Sequence, residues 1–72
     1  MTRDRATELA RDLARREGWP WLEPIRATRV RRWWLGSMTW EVVSNADKRG
    51  MNARIVIDDS SGRILEKGFL PR

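Results

Sequence analysis

Histidine, cysteine and tyrosine are all absent from this 72-residue chain. Acid–base or nucleophilic chemistry would therefore fall to Asp, Glu, Lys or Ser, and the acids lie mostly beside turn residues or arginines. Asp58-Asp59 is the one adjacent carboxylate pair. Two carboxylates on a loop can seat a cation, but a calcium loop needs more oxygen ligands at regular spacing. Asp-Asp-Ser-Ser-Gly over residues 58–62 is better explained as a turn. A glycine-rich phosphate loop is missing, and so are the usual zinc ligands. These residues point to a non-enzyme that uses no cofactor and no metal.

Binding chemistry is better represented. All five tryptophans fall between Trp19 and Trp40, interleaved with arginines. Fifteen basic against ten acidic residues give a net charge of +5, which can favour polyanions. Thirteen of the basic residues are arginine, as a GC-rich genome would produce unaided, and acids are dispersed among them. Arg26, Arg29, Arg31, Arg32 and Arg54 around Trp33-Trp34 combine cations for phosphates with rings for stacking, as single-strand nucleic-acid binders do.

The elements that must position these groups follow from periodicity. Ala6, Leu9, Ala10, Leu13 and Ala14 share one stripe of a helix, flat enough to approach a sheet closely, with charged residues around the rest. Thr2 or Asp4 can cap its start; Gly18 and Pro20 end it. The segment over residues 19–24 carries two prolines and two tryptophans, and closes an edge of the core. Residues 1–16 hold too many charges for a signal or membrane-spanning segment, so the expectation is a cytoplasmic protein without a membrane role. At this length the chain forms one domain and buries only about 60% of its unfolded surface, which makes a homodimer a reasonable expectation.

Residues 25–35 and 38–45 read as strands joined by Gly36-Ser37, a two-residue hairpin loop. That loop sets Trp33 opposite Trp40, Arg32 opposite Glu41 and Val30 opposite Val43. One face then gathers Leu35, Met38, Trp33, Trp40 and Val42 for the helix to cover, interrupted by Arg31. The other mixes Trp34, Thr39, Arg32, Glu41, Val30 and Val43. A third strand over residues 51–57 turns Met51, Ala53, Ile55 and Ile57 to the core, and Arg54 and Val56 to the mixed face. A short fourth strand covers residues 63–68, with Ile64 or Leu65 facing inward according to whether Gly62 makes a bulge.

The stretch Trp40-Glu41-Val42-Val43, a polar loop ending in Gly50, and then Ile55 through Leu65 resembles the closing pattern of PepSY domains. In those, an aromatic-Glu-Val strand precedes a strand ending in Val-Asp-Ala-x-Thr-Gly-x-Val-Leu. Asp59 here replaces the usual small residue and Ser61 the threonine. The resemblance covers the C-terminal half, with a helix before it as in that family. It implies a helix on an antiparallel sheet and an inhibitory or protein-binding role, often towards peptidases, and it carries over no catalytic residue. The helix-and-hairpin pattern also looks like parts of small cystatin-like immunity proteins.

The sequence thus predicts one α+β domain, with an N-terminal helix on a three- to four-stranded antiparallel sheet. Its mixed face contacts a protein partner or a second copy, with Trp34, Val43 and Val56 as the apolar centre and Arg32, Glu41 and Arg54 as the polar rim. Nucleic-acid binding is the alternative, weakened by Glu41 among the arginines and by a single aromatic on that face. On this reading Trp34→Ala weakens association but spares the fold, whereas Trp33→Ala or Trp40→Ala destabilises the monomer by about 3–5 kcal/mol in urea titrations. Equal loss in all three variants would refute the two-face assignment.

Overall fold

The computed structural model describes residues 1–32 and 37–71, with Arg32 and Ser37 entering through their backbone pairing. It has one helix, α1 (Arg3–Glu17), and four strands: β1 (Arg26–Arg32), β2 (Ser37–Val43), β3 (Asn52–Asp58) and β4 (Ile64–Leu70). The strands pair in sequence order as an antiparallel meander, β1-β2-β3-β4, and α1 packs across β1, β2 and β3. This is the α+β architecture that the sequence predicts. Among the described residues, no helix is long and apolar enough to cross a membrane.

Local chemistry fixes the ends of α1. Thr2, rather than Asp4, is the N-cap: its Oγ1 accepts from the Arg5 amide at 3.1 Å. At the other end Gly18 adopts φ 75°, and the Trp19 amide donates to the Ala14 carbonyl at 2.8 Å. The alanine stripe does what its flatness suggests. Ala6, Ala10 and Leu13 are buried against Trp40, Val42, Ala53, Ile55 and Ile57. Fully buried side chains of this size contribute about 1.5–3 kcal/mol each, so the interior strands β2 and β3 supply most of the core's stabilisation. Trp19 and Trp21 pack on the same cluster, and Trp19 stacks on Phe69 with ring centroids 5.9 Å apart.

The hairpin register differs from the expected one by four residues. Ser37 is already paired, with Arg32, so Gly36-Ser37 is not the two-residue loop. Trp40 therefore lies opposite Arg29 rather than Trp33, Glu41 opposite Thr28 rather than Arg32, and Val30 opposite Thr39 rather than Val43. A shift by an even number leaves every side chain on the same face of the pleat, so alternation alone cannot distinguish the two registers. The observed one is supported by Asp59, whose carboxylate accepts from Trp40 Nε1 at 2.7 Å and from Arg29 at 3.0 Å. Trp33, Trp34 and Leu35, with their assignment to two faces, lie outside the described residues.

The bounds of the later strands also change. Met51 precedes β3 in a left-handed conformation (φ 57°) and does not join the core phase. β4 runs on to Leu70, because Phe69 reaches Trp19 and the core; the bulge falls at Leu65, which leaves Ile64 facing Ile57. Asp58 closes the turn before β4, accepting from the Ser61 amide at 2.9 Å and from both serine hydroxyls. The adjacent carboxylates thus serve different partners.

Both carboxyls are held below the ordinary aspartate range. For Asp59 the main cause is the Trp40 indole N–H, with Arg29 adding to it; for Asp58 it is the Ser61 and Ser60 hydroxyls. A lowered folded pKa stabilises the fold above the unfolded value, and this contribution is lost as pH falls through the folded one. Asp59→Asn should therefore be less stable than the parent at neutral pH. Its deficit in urea midpoint should shrink as pH falls below about 4 and close only beneath the lowered folded-state value, where the parent carboxylate is neutral as well. A deficit constant through that range would show that the charge of Asp59 contributes nothing.

Candidate binding surface

One helix covers one face of the sheet. The opposite face carries the alternate residues of each strand: Arg26, Thr28 and Val30 on β1, Thr39, Glu41 and Val43 on β2, Arg54 and Val56 on β3, and Glu66 and Leu70 on β4. At the end where β1 begins and β4 finishes, the loop over residues 44–51 forms a wall. The result is an open cleft of about 640 Å³. Its lining joins Arg26, Glu41, Val43, Arg54 and Leu70 from the sheet to Ala46, Asp47, Lys48 and Arg49 from the loop.

Asn52 holds that wall in place. Its side-chain amide donates to the carbonyls of Ser44 and Asn45, each at 2.9 Å, and of Lys48 at 3.2 Å, while its oxygen accepts from the Gly50 amide at 2.8 Å. Gly50 sits at φ 105° and Asn45 at φ 52°, conformations that suit glycine and asparagine. From the other side the Asn45 and Ala46 amides donate to the Leu22 and Pro24 carbonyls, at 2.6 Å and 3.0 Å. The Glu23-Pro24 peptide bond is cis. The connection before β1 therefore does more than close the core edge: it also braces the loop.

Charge is distributed unevenly over the cleft. Arg54 is answered by its neighbours on the sheet, with Nε and a terminal nitrogen each 2.8 Å from Glu41 and a second nitrogen 4.0 Å from Glu66. Such half-exposed pairs contribute only about 0.2–1 kcal/mol, but they hold the guanidinium in one place. Arg26, Lys48 and Arg49 have no ion-pair partner among the described residues. Four cations and two carboxylates leave the cleft two charges positive. Val43 on β2 and Leu70 on β4 add apolar surface on either side of β3, the latter residue 53% exposed.

Of the six residues singled out from sequence, Glu41, Val43 and Arg54 meet in this cleft. Val56 lies on the right face but is 1% exposed, so it supports the surface from within and offers no contact. Trp34 and the Arg32 side chain lie outside the described residues. Arg26 belongs to the arginine set of the nucleic-acid alternative, whereas Lys48, Arg49, Asn52 and Leu70 have no counterpart in the sequence reading. The phase of Arg26 places it on this face once a register is set, and Leu70 required the longer fourth strand. Comparison with protein-family models, curated proteins and solved structures finds no match.

Removing the Asn52 side chain leaves the Gly50 amide and three carbonyls to water. Asn52→Ala should cost about 1–3 kcal/mol in a denaturant titration, and hydrogen exchange should quicken first at Gly50. Unchanged protection of Gly50 would mean that backbone conformation alone holds the loop.

Proposed function

We propose that this chain is a non-catalytic binding module whose uncovered sheet face, centred on the Glu41–Val43–Arg54 cleft, docks another protein. The observation that carries the reading is the cleft itself. A preset loop, the apolar side chains of Val43 and Leu70, and cations without an ion-pair partner among the described residues converge there, as the parts of a recognition surface do. The finer form of the proposal, an inhibitor or regulator of a peptidase, is what the PepSY resemblance adds. A helix on an antiparallel sheet agrees with that resemblance, although many functions share such a fold.

A different protein fits this face better than a second copy. A two-fold pairing through this face would bring one positively charged cleft towards another, and like charges across an interface are costly. Nucleic acid fits less well than protein, because Trp19, Trp21, Trp40 and Phe69 pack towards the helix-covered core. No described aromatic lines the cleft to stack a base.

Light scattering over a concentration series should give a constant monomer mass. Immobilised parent chain should retain a protein from nuclease-treated lysate that a folded Val43→Glu/Leu70→Glu variant does not retain. Retention by both chains, or by neither, contradicts the reading. A dimer dissolved by that double substitution would restore the homodimer expectation instead.

A further inference from the structure

We infer that the cleft recognises an acidic, extended peptide segment in which carboxylates alternate with apolar side chains. This inference rests on the protein-binding reading and specifies its ligand. Three features define the ligand's chemistry. Arg26 lines the cleft from the start of β1 and Lys48 and Arg49 line it from the loop, each without an ion-pair partner among the described residues. Carboxylates brought to them would gain charge-assisted hydrogen bonds without displacing an internal partner. In the same cleft, Val43 on β2 and Leu70 on β4 offer apolar area that a phosphate backbone could not use.

The third feature is exclusion. Glu41 and Asp47 face the same cleft, and Glu41 is fixed there by Arg54. A polyanion with charge at every unit would meet these carboxylates, whereas a peptide can place an uncharged residue opposite each of them. The loop needs no ordering on binding, since Asn52 and the connector carbonyls already hold it.

The test uses fluorescence anisotropy with three labelled probes: a short Glu-Val repeat peptide, a Lys-Val repeat of the same length, and an oligothymidylate. The parent should bind the Glu-Val peptide, with amide shifts confined to residues 26, 41–54 and 70. Lys48→Glu/Arg49→Glu should weaken that binding about tenfold. Both side chains are exposed and take no part in the hydrogen bonds that hold the loop, so the variant should melt like the parent. No saturable binding of the Glu-Val peptide, equal binding of the Lys-Val peptide, or tighter binding of the oligonucleotide each overturns the inference. If the Glu-Val peptide fails while retention of a lysate protein still depends on Val43 and Leu70, the acidic ligand is wrong and the binding face stands. If both fail, the face is wrong as well.

Discussion

Contact between the alanine stripe of α1 and the row Trp40, Val42, Ala53, Ile55 and Ile57 determines what else this chain can do. A helix of 15 residues can lie across three strands on one side of a sheet, and the chain has no second helix among its described residues for the other. One face is therefore dry and the other meets solvent, the common condition of an antiparallel sheet. The core is small because its helix side is mostly alanine. That choice keeps α1 close to the sheet and moves the burden of burial onto the branched side chains of β2 and β3.

A second set of interactions holds what the core does not reach. The turn before β4 and the loop between β2 and β3 lie at opposite ends of β3, and in each a single side chain gathers several hydrogen-bonding groups. Asp58 does this for the turn and Asn52 for the loop. Asp59 extends the first of these into the sheet, joining the turn to Trp40 and Arg29 across three strands. These polar centres are partly solvated, so each is individually modest in energy. Their effect is geometric: they fix where the cleft wall and the edge of the core stand.

Which parts of this were legible in the sequence depends on the kind of information each required. The helix, its glycine stop and the two faces of the sheet are periodic signals, and periodicity survives errors elsewhere. Trp40, Val42 and Ile55 were assigned to the core even though the hairpin pairing was displaced, because a four-residue shift preserves the alternation. Exact partners were not legible. Gly36-Ser37 has the composition of a tight loop, yet the register that forms is the one in which Asp59 can reach both Trp40 and Arg29, an agreement between residues far apart in sequence. The cleft was half legible for the same reason: Glu41, Val43 and Arg54 follow from strand phase, whereas Lys48 and Arg49 depend on how a polar loop folds back. Asn52 looked like an ordinary strand residue, and nothing local distinguishes it from one.

The division of charge between sheet and loop bears on how such a surface would work. A cation in the middle of a sheet has cross-strand neighbours about 5 Å away, and here Arg54 is enclosed between Glu41 and Glu66. Its charge is largely answered before any partner arrives. Cations without an ion-pair partner among the described residues come from places with fewer neighbours: the first residue of an edge strand, where Arg26 sits, and the loop, where Lys48 and Arg49 sit. Exposed charges of this kind govern the rate and orientation of encounter more than the lifetime of a complex. Lifetime then falls to desolvated contacts, for which Val43, Ala46 and Leu70 are the apolar residues lining the cleft. On the proposed reading, a partner would be selected by charge and retained by apolar contact, two tasks that rest on different residues.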